Sequence, residues 1–142
     1  MTDDSGLQHF NSQRRQYFDT LCESLGLVAG DAEIGRGFAS VSAALADVRV
    51  FFEHDRGLCS FAVGAFSDSK PLCGVEELAR RFPRIRIMSE GTQRLSLEEQ
   101  RGFLESRWQE LQVMFSPQHL AETRKWQKAS AAAYMKQFSG DA

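Results

Sequence analysis

Two hydrophobic periods alternate along the chain. Between residues 7 and 25, Phe10, Tyr17, Phe18, Leu21 and Leu25 recur at steps of about three, four and seven, which places them on one face of a helix. Gly26 supplies its stop. Residues 28–37 carry three glycines with Asp31 and Glu33 and read as a loop leading into strand. From residue 38 to 66 the period falls to two. Val48, Val50 and Phe52 point one way and Arg49, Phe51 and Glu53 the other, as a strand with one buried face requires. Phe61 and Val63 continue that pattern, and residues 37–42 (GFASVS) supply an earlier strand. The economical arrangement is a three-stranded meander. A helix over residues 39–45 is the alternative, because alanine favours helix, but the serines and the glycine nearby weaken it.

Residues 67–71 (SDSKP) form a polar break, after which Val75, Leu78 and Phe82 give a short amphipathic helix that Pro83 prevents from continuing. Arg84-Ile85-Arg86-Ile87 alternates strictly and suits an exposed edge strand. Ser96-Leu97-Glu98-Glu99 fits a capping box at the start of a helix whose stripe is Leu104, Trp108, Leu111 and Phe115. Ser116-Pro117 then predicts the end of that helix and the N-cap and first residue of another, running to about Phe138. So tight a connection makes the two helices fold back as a hairpin or meet at an angle. The order predicts an α+β fold, with an N-terminal helix, a small antiparallel β-meander and C-terminal helices packed on one sheet face. No repeat or linker divides the chain, so residues 1–142 read as a single domain.

Composition narrows the class. With 42% hydrophobic and 25% charged residues the chain is an ordinary globule, and eleven phenylalanines predict an aromatic-rich core. The formal charge of -2 argues against direct nucleic-acid binding. It is unevenly divided. Residues 1–70 hold six Lys/Arg against ten Asp/Glu, and residues 71–142 eleven against nine, so the acidic half suits a basic partner. Cys22, Cys59 and Cys73 are odd in number and lack C-x-x-C spacing, which points to reduced core thiols and to neither a disulfide framework nor a zinc site. An acidic N-terminus without an apolar run, and no apolar stretch of spanning length, lead us to expect a cytoplasmic protein with no membrane partner.

A search for chemistry returns little. His9, His54 and His119 are far apart and in no metal-ligand spacing, and neither phosphate-cradling glycine patterns nor G-x-S-x-G occur. His54 sits between Glu53 and Asp55, yet neighbours on an extended chain project to different sides, so residues 53–57 read as a four- or five-residue hairpin loop. In it Asp55 bonds backbone amides and Gly57 is left-handed. Cys59 and Cys73 read as buried thiols rather than nucleophiles, since no positioned histidine is evident. Glu76-Glu77 and Glu98-Glu99 each open a helix, where acidic groups favour the positive dipole end. Arg80, Arg81, Arg84 and Arg86 form a basic cluster expected to make surface ion pairs. Trp108 and Trp126 read as packing residues. No catalytic residue, metal or cofactor is expected.

The strand-turn-strand VRVFFEHDRGLCSFAVG, the capped helix SLEEQRGFLESRWQELQVMFSP and the ETRK segment of the last helix together resemble small immunity proteins encoded beside bacterial toxins of type VI secretion or contact-dependent systems. The likeness covers about residues 35–128. It implies a non-enzymatic cytosolic protein that binds a cognate toxin acting on nucleic acid, nucleotides or NAD, and occludes its active site or substrate access. The residues themselves place the partner-binding surface, by expected exposure on loops, at Asp31, Glu33, Glu53, Asp55, Arg56 and Asp68. Two other classes stay open: a secretion chaperone or adaptor with a groove between the last two helices, and a small-ligand enzyme or sensor with a pocket between sheet and helices.

Overall fold

A computed structural model describes residues 4–82 and 94–138. The α+β order expected from the sequence is present. Helix α1 (Asp4–Gln13), a π-helical segment (Arg14–Phe18) and α2 (Asp19–Leu25) run into one another, because Gln13, Phe18 and Asp19 at the junctions keep right-handed helical φ and ψ. The π segment corrects the plain helix expected there, and it has a packing reason. Eight residues on an α-helix fall about 80° round the axis, so Phe10 and Phe18 would diverge. The wider i→i+5 turn rotates less per residue and brings both rings to the same partner, each 5.9 Å from Phe52. Gly26 ends α2 at φ 77°, in the left-handed conformation.

The sheet is antiparallel, in the order β1 (Val28–Ala29), β3 (Phe38–Leu45), β4 (Val48–Asp55), β5 (Leu58–Ala65), β6 (Cys73–Gly74), with β2 (Glu33–Gly35) also on β3. Residues 39–45 are strand and not helix. β4 pairs along its whole length with both neighbours, from Phe38↔Asp55 to Leu45↔Val48 on one side and from Val48↔Ala65 to Asp55↔Leu58 on the other. The segment expected as a loop instead contributes β1 and β2, which are too short to show a period. The open edge of β3 satisfies their backbone groups, at Val28↔Ala44 and at Glu33↔Ser40.

The hairpin after β4 is tighter than expected. Asp55 still pairs with Leu58, so the loop is only Arg56-Gly57, both at positive φ of 52° and 87°. That is the backbone of the twisted two-residue turn that matches strand twist. Gly57 is left-handed as anticipated, whereas Asp55 is a strand residue whose carboxylate contacts Arg56 at 4.0 Å and caps no amide. The β3–β4 turn also holds a side-chain-bearing residue at positive φ, Ala46 at 54°.

The helices lie on one face of the sheet. α3 (Val75–Arg81) buries Val75, Leu78 and Ala79, and α4 (Leu97–Ser106) begins at the expected capping box, Ser96 accepting from Glu99 N–H at 3.1 Å while the Glu99 carboxylate accepts from Ser96 N–H at 3.0 Å. The single helix expected beyond it is kinked at Arg107, where α5 (Trp108–Met114) takes over; amide bonds persist on both sides. Ser116 is not the side-chain N-cap foreseen. Its hydroxyl donates to the Val113 carbonyl at 2.7 Å, serving the orphan acceptors of α5, and α6 (Leu120–Phe138) starts after a further turn. The proposed edge strand at residues 84–87 lies outside the described residues.

Phe52 centres the core, fully buried against Phe10, Phe18 and Phe61, the last 5.0 Å away. One polar residue completes it. β6 pairs only with Ala62 and Val63, so the N–H of Phe61 has no strand beside it, and buried Gln100 of α4 accepts that bond at 2.9 Å while donating to the Leu95 carbonyl at 3.1 Å. A Gln100→Leu variant should lose about 1–3 kcal/mol in chemical denaturation, because the buried Phe61 N–H loses its partner. Ala46→Gly should gain about 0.5–1 kcal/mol, since it relieves a left-handed alanine.

Candidate functional site

Register decides which side chains meet at the hairpin end. Partners across an antiparallel pair share a face, so Phe38, Asp55 and Leu58 form one row, and Glu33, Ser40, Glu53 and Ser60 form the next on the same face. Phe38 and Leu58 are large apolar side chains left 38% and 62% exposed on either side of Asp55. Apolar side chains flanked by charge are the elements of a protein-binding surface.

Among the described residues the charges there have few partners. Among the described residues no hydrogen bond or ion pair reaches the half-buried Glu53 carboxylate, and burial first, then the nearby Asp55 charge, raises its pKa above the usual carboxylate value. Among the described residues Asp55 has only the long contact to Arg56, and both are widely exposed. Four of the six residues named from sequence thus meet at one end of the sheet: Glu33, Glu53, Asp55 and Arg56. Asp31 is exposed in the connection between β1 and β2.

Asp68 does not belong with them. It follows the far end of β5, roughly 20 Å along the strands. Its carboxylate accepts the Ala65 N–H at 2.8 Å and pairs with Arg124 at 3.0 Å, which fastens α6 to the sheet. It lies in a loop, as expected from sequence, and both its oxygens are engaged there. Phe38 and Leu58 were missed as surface residues, because alternation alone marks apolar strand positions as inward.

The opposite face at the same end carries a different set. His54 alternates inward, to the face opposite the Glu53 and Asp55 carboxylates, and is 5% exposed. It faces its register partner Cys59, and His9 arrives from α1, so that one ligand atom from each of the three lies within 4.8 Å of the others. The two imidazoles sit 5.6 Å apart at 62°, and the buried Nε2 of His54 has no hydrogen-bond partner. Linear spacing concealed this cluster, since its members come from a helix and two strands. The positioned histidines that Cys59 lacked in the sequence are there.

Other candidates resolve structurally. Burial pushes the Cys59 thiol up to about 11, and burial with the neighbouring Asp19 charge does the same to Cys22; Cys73 is raised further. All three are free thiols, and none has the lowered value of a nucleophile. Glu76 accepts the Leu95 N–H at 3.0 Å and pairs with Arg94, and Glu77 accepts from the Ser130 hydroxyl. Trp108 is buried and Trp126 meets Phe82 edge-on at 4.7 Å, so both pack the helical layer. A groove of about 360 Å³ lies between α3 and α6, lined by Glu76, Glu77, Arg80, Arg81 and Met135. Arg84 and Arg86 lie outside the described residues. No helix among those described is long and apolar enough to cross a membrane.

No protein-family model, curated protein or solved structure matches the chain. The geometry of the hairpin end yields a prediction of its own. Because folding raises the Glu53 pKa, folded protein holds that proton more tightly than unfolded chain, and the stability so gained is complete below the ordinary carboxylate value and lost as pH rises through the raised one. Glu53→Gln should therefore be more stable than the parent at neutral pH, with the difference shrinking as acid protonates Glu53; urea midpoints at pH 7 and pH 4 check both.

Proposed function

We propose that this protein is a binding module of the immunity type: a cytoplasmic, non-enzymatic partner that neutralises a cognate bacterial toxin by covering its active site or substrate entry. The observation that carries the reading is the pair of adjacent rows Phe38–Asp55–Leu58 and Glu33–Ser40–Glu53–Ser60, which joins exposed apolar side chains to under-neutralised carboxylates on a stiff three-stranded scaffold. A toxin acting on nucleic acid, nucleotides or NAD binds anionic substrates, so its cleft is basic, and carboxylates on a rigid hairpin are complementary to it. Phe38 and Leu58 would supply the dry anchors and the acidic groups would speed encounter. Burial of Glu53 and the left-handed Arg56 support the same reading, because a basic partner offsets the first, and a residue held at positive φ fixes the tip in one shape.

The product of the neighbouring reading frame is the partner to test. It should arrest growth when expressed alone and be silent when co-expressed with this chain. Calorimetry should then give a 1:1 complex that Asp55→Lys and Leu58→Asp each weaken at least tenfold. Asp68→Asn should leave affinity intact and lower Tm, since its role is to hold α6. A harmless neighbour, or a toxic one bound equally well by the hairpin variants, removes the reading.

A further inference from the structure

The cluster on the inner face of the hairpin end calls for a ligand of its own. His54 is 5% exposed, and its Nε2 is buried with no partner. A polar atom left so is costly; Arg101 Nε and Trp108 Nε1 also lack a hydrogen-bond partner among the described residues, but they are N–H groups that cannot ligate a cation, whereas an imidazole nitrogen with other ligand-type atoms beside it can. The surroundings favour an ion. Phe10 meets the His54 ring at 6.4 Å and closes its apolar side, while Cys59 and His9 offer a sulfur and a second imidazole within 4.8 Å, a donor set suited to a borderline-soft cation.

We infer that His9, His54 and Cys59 bind one zinc-class ion, which clasps α1 to the β4–β5 hairpin. Two imidazoles and a thiol are borderline-soft donors of the kind that select zinc over calcium or magnesium. Tetrahedral zinc holds its ligand atoms roughly 3.5 Å apart, so closing on the metal asks for movement of about 1 Å. His9 has the freedom to supply it, being on the exposed side of α1, while His54 and Cys59 are fixed as cross-strand partners. The two rings meet edge to face at 62° and do not stack, so a turn of the exposed His9 ring brings a nitrogen toward the other two donors. Binding displaces the thiol proton of Cys59 to water and leaves a thiolate–zinc bond. Three protein donors leave a fourth position, and His9 at the rim leaves it on the solvent side. The site lies on the face opposite the proposed docking rows, so the inference stands or falls without them.

The test uses the full chain, stripped with chelator and titrated with cobalt(II) as a spectroscopic stand-in and with zinc. One equivalent of cobalt should give the near-ultraviolet band of a thiolate–cobalt bond, and zinc in hundredfold excess over its Kd should raise Tm by roughly 5–10 °C. Cys59→Ser should abolish the band. His9→Ala, at an exposed helical position that folding does not need, should weaken zinc at least tenfold, while Cys22→Ser and Cys73→Ser keep band and affinity. No band and no zinc-dependent rise in Tm would overturn the inference, as would a band that survives Cys59→Ser.

Discussion

The register of β4 between β3 and β5 is the constraint on which the rest of this structure depends. Each of its eight residues has a partner on both sides, so the face of every side chain is fixed from Val48 to Asp55. A slip of one residue would turn Phe52 out of the core and carry Glu53 into it. The tight turns at both ends hold the strand in place. Since the inner face packs the helices and the outer face presents Glu53 and Asp55, a single pairing pattern sets both the core and the surface.

Around that strand the packing is aromatic and cooperative. Phe52 receives Phe10 and Phe18 only because the π-helical turn realigns them, and Phe61 closes the group from β5. Where β6 ends too early to cover β5, the amide of Gln100 takes over as a substitute strand. Helix α4 is thereby held to the sheet by a directional bond as well as by burial. Asp68 does comparable work at the other end through Ala65 and Arg124.

Local costs gather in residues 53–56. Glu53 is a half-buried carboxylate without a counter-ion among the described residues, His54 is buried with an unpartnered nitrogen, and Arg56 takes a left-handed φ. Elsewhere among the described residues the buried nitrogens without hydrogen-bond partners are Arg101 Nε and Trp108 Nε1, so the hairpin end is where carboxylate, imidazole and backbone costs fall side by side. The two faces of one strand carry different chemistry, carboxylates on the outer and nitrogen and sulfur donors on the inner.

The sequence by itself determined the α+β order, the three long strands, the capping box at Ser96 and the stop at Gly26, because each rests on interactions between residues a few positions apart. It led us to expect Glu33, Glu53, Asp55 and Arg56 on exposed loops, whereas the first three stand on strands, with Glu53 half-buried, and Arg56 lies in the turn. The tertiary structure alone decided what depends on pairing across the chain: the strands in residues 28–35, which exist because β3 has an open edge, and the π turn, which exists because Phe52 needs two rings. It also tied Asp68 to Ala65 and Arg124 and brought His9, His54 and Cys59 together. Residues so far apart in the chain share a site only once hydrogen-bonded register and helix packing set their distances, and neither is written in any short stretch of the sequence.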